Sequence, residues 1–205
     1  MYYGNIKEFS VENGTGVRVS FFVSGCRHGC KNCFSEKTWN FEYGKPYDRA
    51  AEDQIINALK PDYMEGITIL GVDPLEPENQ AEVLGLIKRI RRELPEKNIW
   101  LFTGFVFEEL IYDYSVNQKI GISKEVDARN TINFYEPLIK DEKSRANTEY
   151  IREILENLDV LIDGEFMEPL KNLSLKFRGS SNQRVIDVRK SLESGQAVTI
   201  EEFMN

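Results

Sequence analysis

Val17-Arg18-Val19-Ser20-Phe21-Phe22-Val23-Ser24-Gly25-Cys26-Arg27-His28-Gly29-Cys30-Lys31-Asn32-Cys33 is the stretch from which the rest of the chain is read. Its first seven residues are dominated by β-branched and aromatic side chains, as in a strand, and Ser24-Gly25 stops the run directly before Cys26. The cysteines are therefore expected in a loop at a strand's carboxyl end. Beyond them, Asp48 is suited to cap a helix over residues 51–59, where Ile55, Ile56 and Leu59 form an apolar stripe and Pro61 ends it.

The same pattern recurs downstream. Gly66-Ile67-Thr68-Ile69-Leu70 reads as a short strand, followed by Gly71-Val72-Asp73-Pro74 and an amphipathic helix over about residues 79–94 carrying Val83, Leu86, Ile87 and Ile90. Ile99-Trp100-Leu101-Phe102 ends at Thr103-Gly104 and leads to Glu108-Glu109-Leu110-Ile111. Val160-Leu161-Ile162 ends at Asp163-Gly164, after a helix containing Tyr150, Ile151, Ile154, Leu155 and Leu158. Strands alternating with helices predict an α/β fold with a parallel sheet, whose ligands gather at the strands' carboxyl ends. Residues 112–148 are polar and longer than an ordinary connection, yet contain Ile120, Ile122, Ile132, Phe134, Tyr135 and Leu138. They are read as a subregion inserted into a single domain spanning residues 1–205.

The chain has 205 residues, 41% of them hydrophobic, and 26 Lys plus Arg against 34 Asp plus Glu, a net charge of -8. That sign disfavours a phosphate backbone as partner, so no nucleic acid is expected. No apolar stretch approaches the roughly 18 residues of a membrane span, and the start lacks a basic leader followed by an apolar core. A cytoplasmic protein with no membrane partner is expected.

The three cysteines all fall within residues 26–33, where a disulfide would leave one thiol over. Their C-x3-C-x2-C spacing supplies three thiolates to a cubane cluster that usually takes four, leaving one iron open. An open iron can be chelated by the amino and carboxylate groups of S-adenosylmethionine, whose C–S bond then accepts an electron and breaks homolytically. The competing reading is a non-catalytic interaction module stabilised by zinc on the three cysteines and His28; ligands crowded into one loop make that tetrahedron awkward to close. His28 is read as a solvent-facing residue or one that supports the ligands.

The cysteine spacing resembles the signature of the radical S-adenosylmethionine superfamily. Asn13-Gly14-Thr15-Gly16-Val17-Arg18, Phe22-Val23-Ser24-Gly25-Cys26, Cys33-Phe34, Thr38-Trp39, Glu52-Asp53-Gln54-Ile55-Ile56, Asp73-Pro74-Leu75, Ile99 to Gly104, Val160 to Gly164 and Arg178-Gly179-Ser180-Ser181-Asn182-Gln183 resemble, in order, the anaerobic ribonucleoside-triphosphate reductase activating family. The resemblance implies parallel-strand βα repeats forming a partial (incomplete) β/α barrel. It also implies an enzyme that cleaves S-adenosylmethionine at a [4Fe-4S] cluster and uses the 5′-deoxyadenosyl radical to create a glycyl radical. The implied partners are the large subunit of the anaerobic reductase and a low-potential electron donor such as flavodoxin. An activase of another glycyl-radical enzyme, such as pyruvate formate-lyase, is the alternative within the same chemistry.

Carried over by position, Cys26, Cys30 and Cys33 bind the cluster; Asn32 and Phe34 flank the last cysteine, with Phe34 suited to lie against adenine; and Gly71, Val72 and Asp73 hold the methionine amino group. The family loop usually has Gly-Gly before the acidic residue. Here the second glycine is replaced by Val72, whose branched Cβ penalises a positive φ. The insertion is a second departure from the shorter members of the family. Thr103-Gly104 and Asp163-Gly164 are candidates for the pocket wall. Trp39 and Trp100 are read as packing, Lys88 to Arg92 as a solvated face, and the Arg178 to Gln183 segment either as a polar stretch near the partner or as a plain surface turn.

Overall fold

The structure is a computed structural model that describes residues 1–113, 118–119 and 144–204. In chain order it contains β1 (Tyr2–Ser10), β2 (Val17–Val23), β3 (Lys45–Pro46), α1 (Arg49–Leu59), β4 (Met64–Gly71), α2 (Pro77–Glu93) and β5 (Asn98–Phe102). There follow α3 (Phe107–Leu110), β6 (Tyr112–Asp113), β7 (Gln118–Lys119), α4 (Ile151–Glu156), β8 (Val160–Asp163), β9 (Arg184–Asp187) and α5 (Val188–Ser194).

Seven strands form one sheet in the order β3-β1-β2-β4-β5-β8-β9. β2, β4, β5 and β8 are mutually parallel, as the repeating pattern requires. Both margins differ from the expectation: β1 and β3 on one side and β9 on the other run antiparallel to their neighbours, so the sheet is mixed and open. The physical reason is local. β1 buries only its ends, in the pattern iBeeieeeB, and β9 has four residues, so neither shows the apolar run that marks a central strand.

Side-chain alternation assigns the two faces of the sheet. Val19 and Phe21 of β2, Ile67 and Ile69 of β4, Ile99 and Leu101 of β5 and Leu161 of β8 pack with Ile55, Ile56 and Leu59 of α1, Val83, Leu86, Ile87 and Ile90 of α2, and Ile154 and Leu155 of α4. On the other face Trp100, Val160, Ile162 and Val185 meet Phe203. Asp48 caps α1 as expected, its side chain accepting from the Ala51 amide at 2.9 Å.

The second face also holds a buried guanidinium. Arg18 donates from Nε to Thr68 Oγ1 at 2.8 Å, from Nη2 to the Ile67 carbonyl at 2.7 Å and from Nη1 to the Thr15 carbonyl at 3.2 Å, with its Cζ 4.9 Å from the Trp100 ring centre. Thr68 in turn donates to the Asn13 carbonyl, and Asn13 donates to Ser20 Oγ. The turn before β2 is thus laid across the sheet. No helix among the described residues is long and apolar enough to cross a membrane.

Most of the expected insertion lies outside the described residues. Its last five are anchored: Ala146 is fully buried, Gln80 on α2 donates to its carbonyl and accepts from Thr148 Oγ1, and Ser144 Oγ donates to Glu109. The run at residues 88–92 is not a free solvated face either, because Arg89 pairs with Glu52, Asp53 and Glu93, and Arg91 with Asp159.

Replacing Arg18 by Met keeps the stem but leaves buried acceptors without donors. Lost bonds from a charged donor put the cost at about 2–3 kcal/mol, or roughly 4–12 °C in melting temperature for a chain of this size. A thermal melt followed by circular dichroism measures it; an unchanged midpoint would show that the guanidinium contributes no net stability.

Candidate functional site

The carboxyl ends of β2, β4, β5 and β8 open onto one cavity of about 410 Å3. That volume lies in the range of roughly 300–1,000 Å3 usual for small-molecule sites. Cys26, Cys30 and Cys33 all line it, joined by Gly71 and Val72 after β4, Thr103 and Gly104 after β5, and Gly164 after β8. The apolar wall comes from Phe34, Phe102, Phe166, Leu175 and Phe177.

The cysteine loop is pinned at its base by the Gly25 amide donating to the Thr38 carbonyl at 2.9 Å and the Cys26 amide to the Trp39 carbonyl at 3.1 Å. All three thiols are free and half-buried. All three receive backbone support: the His28 amide donates to Cys26 Sγ and the Ser35 amide to Cys33 Sγ, each at 3.4 Å, and the Phe166 backbone supports Cys30. Burial pushes the Cys26 thiol up to about 12, the His28 amide opposing and the negative charges of Asp73 and Glu76 adding. Burial also raises the Cys30 thiol. A bound metal must therefore displace thiol protons.

Asn32 occupies the left-handed region at φ 58°, which Asn tolerates better than most residues, and it is exposed rather than part of the cavity wall. Phe34 does line the cavity; its ring centre lies 5.3 Å from that of Phe166 and 5.1 Å from Lys171 Nζ. Gly71 has φ 118°, and a Cβ there would fall 2.4 Å from the Val23 carbonyl oxygen, so the close approach of β4 to β2 requires glycine. Val72 has no positive φ; among the described non-glycine residues only Asn32 and Phe177 do. The steric objection to valine thus does not arise in this loop.

Asp73 stands apart from the cavity wall. It is fully buried, accepting from the Leu75 and Gly104 amides at 2.9 Å and from Thr103 Oγ1 at 2.9 Å. His28 is not solvent-facing: its side chain is 4% exposed, with Nε2 2.8 Å from Asp73 Oδ2 and Nδ1 2.8 Å from Glu165 Oε1. Burial alone would lower its pKa, but hydrogen bonds to the two carboxylates raise it to about 9. Asp163 also lies behind the wall, where it and Glu108 bind the Arg184 guanidinium. The Arg178 to Gln183 segment is a closed turn: Gln183 Oε1 accepts from the Gly179 and Ser180 amides, and Gln183 Nε2 donates to the Gly164 carbonyl. It forms cavity wall through Arg178, Gly179 and Gln183.

Cys26, His28 and Glu76 offer ligand atoms within 4.8 Å of one another. Glu76 is already held by the Arg27 amide at 2.8 Å, Arg27 Nη1 at 2.9 Å and Arg145 Nη2 at 2.9 Å, and both nitrogens of His28 face carboxylates. The sequence reading missed Phe166, Leu175 and Phe177, because nothing in an irregular stretch so far along the chain marks it as facing residue 26. It also missed Arg145, which pairs with Glu76 from the anchored end of the insertion.

The family model described as a 4Fe-4S single cluster domain matches residues 12–186. A curated protein of Escherichia coli (strain K12) is 35% identical over 191 residues, covering 92% of this chain and all of the relative. One of Haemophilus influenzae is 37% identical over 175 residues, covering 84% of this chain and 89% of the relative. One of Enterobacteria phage T4 is 31% identical over 185 residues, covering 90% and 93%. All three carry the name anaerobic ribonucleoside-triphosphate reductase-activating protein. With the cysteine loop, the strand-end cavity and nearly full-length similarity in agreement, this chain belongs to the family of anaerobic ribonucleoside-triphosphate reductase-activating proteins.

Proposed function

We propose that this chain activates an anaerobic ribonucleotide reductase by radical S-adenosylmethionine chemistry. In this reading Cys26, Cys30 and Cys33 hold a [4Fe-4S] cluster with one open iron, and the product is a glycyl radical on the reductase's large subunit. One observation carries it: three thiols from one loop share a single cavity with three other strand ends. Residues 1–205 then act as one radical S-adenosylmethionine domain, its open sheet being an incomplete β/α barrel that admits the partner's backbone.

The donor set fits such a cluster, since three thiolates serve three irons and leave the fourth for a chelating ligand. It fits a single zinc ion less well. Zinc–sulfur bonds of about 2.3 Å in a tetrahedron hold ligands roughly 4 Å apart, whereas the group of ligand atoms within 4.8 Å contains Cys26 alone of the three cysteines. When bound, the cluster and S-adenosylmethionine together supply the one-electron cleavage of a C–S bond and a carbon radical that abstracts a hydrogen atom. The electron comes from a low-potential donor such as flavodoxin.

This chain's residues bind and orient. Gly71 and Val72 present backbone to the methionine end, and Phe34 offers a ring face to adenine at the mouth, with Asn32 beside it. Asp73 acts from beneath by fixing the loop after β4. The apolar wall of Phe102, Phe166, Leu175 and Phe177 keeps water from the reacting atoms.

Single replacement of Cys26, Cys30 or Cys33 by Ser is expected to abolish cluster assembly and to lower 5′-deoxyadenosine formation by more than about 100-fold, beyond the range seen for groups that merely support a ligand. The apolar core does not include these residues, so the melting temperature of the metal-free chain should hold. Iron analysis and chromatography of the nucleoside decide it. With the anaerobic reductase subunit present, the wild-type protein should produce a glycyl-type paramagnetic doublet whose splitting collapses on Cα deuteration of the partner's glycine; a doublet formed only on pyruvate formate-lyase would reassign the partner.

The loop after β4 gives a sharper test. Gly71→Ala places a Cβ against the Val23 carbonyl and should reduce S-adenosylmethionine binding at least ~10-fold, while Val72→Gly, at a residue without positive φ, should change it less than ~3-fold. Equilibrium binding of the cofactor to the reconstituted proteins distinguishes them, and the reverse order would refute the assignment of this loop.

A further inference from the structure

His28 lies between the first two cysteines, but its imidazole leaves their loop and crosses the carboxyl edge of the sheet. Nε2 reaches Asp73 after β4, and Nδ1 reaches Glu165 after β8. The ring lies over Gly104 after β5, where a Cβ would fall 2.7 Å from Cδ2 and Nε2, and it meets the Phe105 ring edge-on at 4.6 Å. The amide of the same residue donates to Cys26 Sγ. One residue therefore supports a ligand sulfur with its backbone and spans three strand ends with its side chain.

We propose that His28 is a positioning residue that fixes the loop of Cys26, Cys30 and Cys33, and Cys26 above all, against the ends of β4, β5 and β8; the inference rests on the cluster reading above. The attachments at the base of the loop are local, to Thr38 and Trp39. Distant anchors come from the Phe166 backbone at Cys30, from Arg27, which binds Glu76 and Glu78 but is 46% exposed, and from His28, which is 4% exposed. The imidazole is not a metal ligand, because neither ring nitrogen is left over. Nor is it plain filling: an apolar side chain of the same size would keep the contacts with Gly104 and Phe105 and lose both links to carboxylates 45 and 137 residues away in sequence. A ligand loop whose distant anchors are cut holds its sulfurs less well in the geometry a cluster needs.

The test uses full-length protein reconstituted anaerobically, as wild type, His28→Ala, His28→Gln and Glu165→Gln. The readouts are iron per chain, the melting temperature of the metal-free form, the paramagnetic spectrum of the reduced cluster with and without S-adenosylmethionine, and KM and kcat for cofactor cleavage. Positioning predicts that His28→Ala still folds, with a melting temperature lowered by roughly 3–12 °C for the lost bond to the buried carboxylate, and loses the cofactor-dependent spectral change, with KM raised about 10–100-fold, the range for groups supporting metal ligands. His28→Gln, which keeps a side-chain donor, should recover part of that change. Glu165→Gln removes one carboxylate at an exposed position and should fall between; it decides the matter if His28→Ala does not fold. A His28→Ala protein with wild-type iron, spectrum and KM overturns this inference alone. A wild-type chain that takes up no iron overturns the cluster reading and this inference with it.

Discussion

The carboxylate of Asp73 has no exposure to solvent, and its oxygens meet partners from three places: the Leu75 amide in its own loop, Thr103 and Gly104 after β5, and the His28 ring from the cysteine loop. A buried carboxylate without partners costs several kcal/mol, and hydrogen bonds to a charged acceptor each return about 1.5–3 kcal/mol. The arrangement is therefore stable only when all these loops stand together. Moving any one of them strands a charge, which is how a site assembled from flexible connections acquires a fixed shape.

The same logic governs charge around the ligands. Asp73, Glu76, Glu78 and Glu165 face Arg27, Arg145 and His28, so carboxylates already outnumber bases among these groups before any thiolate is counted. Burial is what chiefly raises the Cys26 and Cys30 thiols, and the negative charges of Asp73 and Glu76 near Cys26 and of Glu165 near Cys30 add to it. The amide hydrogen bonds to Cys26 and Cys33 then act on the sulfurs directly, and hydrogen bonds to sulfur are among the factors that set an iron–sulfur cluster's potential.

The parts legible in sequence were those with a periodic or spaced signal. β2 occupies residues 17–23 as read, and the strands at β4, β5 and β8 and the helix α2 fall within two residues of expectation, because buried parallel strands are apolar runs and α2 has a clear stripe. The cysteine loop and its cavity neighbours at residues 71–72, 103–104 and 164 followed from strand ends sharing one edge. β1 and β9 did not: β1 is mostly exposed between its ends, and β9 has only Val185 and Ile186 between two charged residues, so neither carries an apolar run. His28 was read as either solvent-facing or supporting the ligands, and sequence could not choose, because its partners lie 45 and 137 positions away and pairing of that range leaves no local pattern. The Val72 departure looked more serious in sequence than in structure, because only φ at residue 72 could decide whether glycine was needed there.

The division between wall and foundation has a consequence for how such a site tolerates change. Val72, Phe34 and Gln183 face the cavity, where a substitution alters contacts with whatever is bound. Asp73 and Asp163 face inward, to Gly104 and Arg184, and His28, which also lines the cavity, reaches sideways to Glu165; a substitution there alters the relative placement of strand ends. In the proposed reaction, radical chemistry places unequal demands on the two sets. A hydrogen atom moves only between closely placed atoms, so an error of about 1 Å in strand-end placement is felt by the reaction even when every wall contact survives. The buried ionic partners, rather than the residues that touch ligand, are then the stricter constraint on this fold as a scaffold for its chemistry.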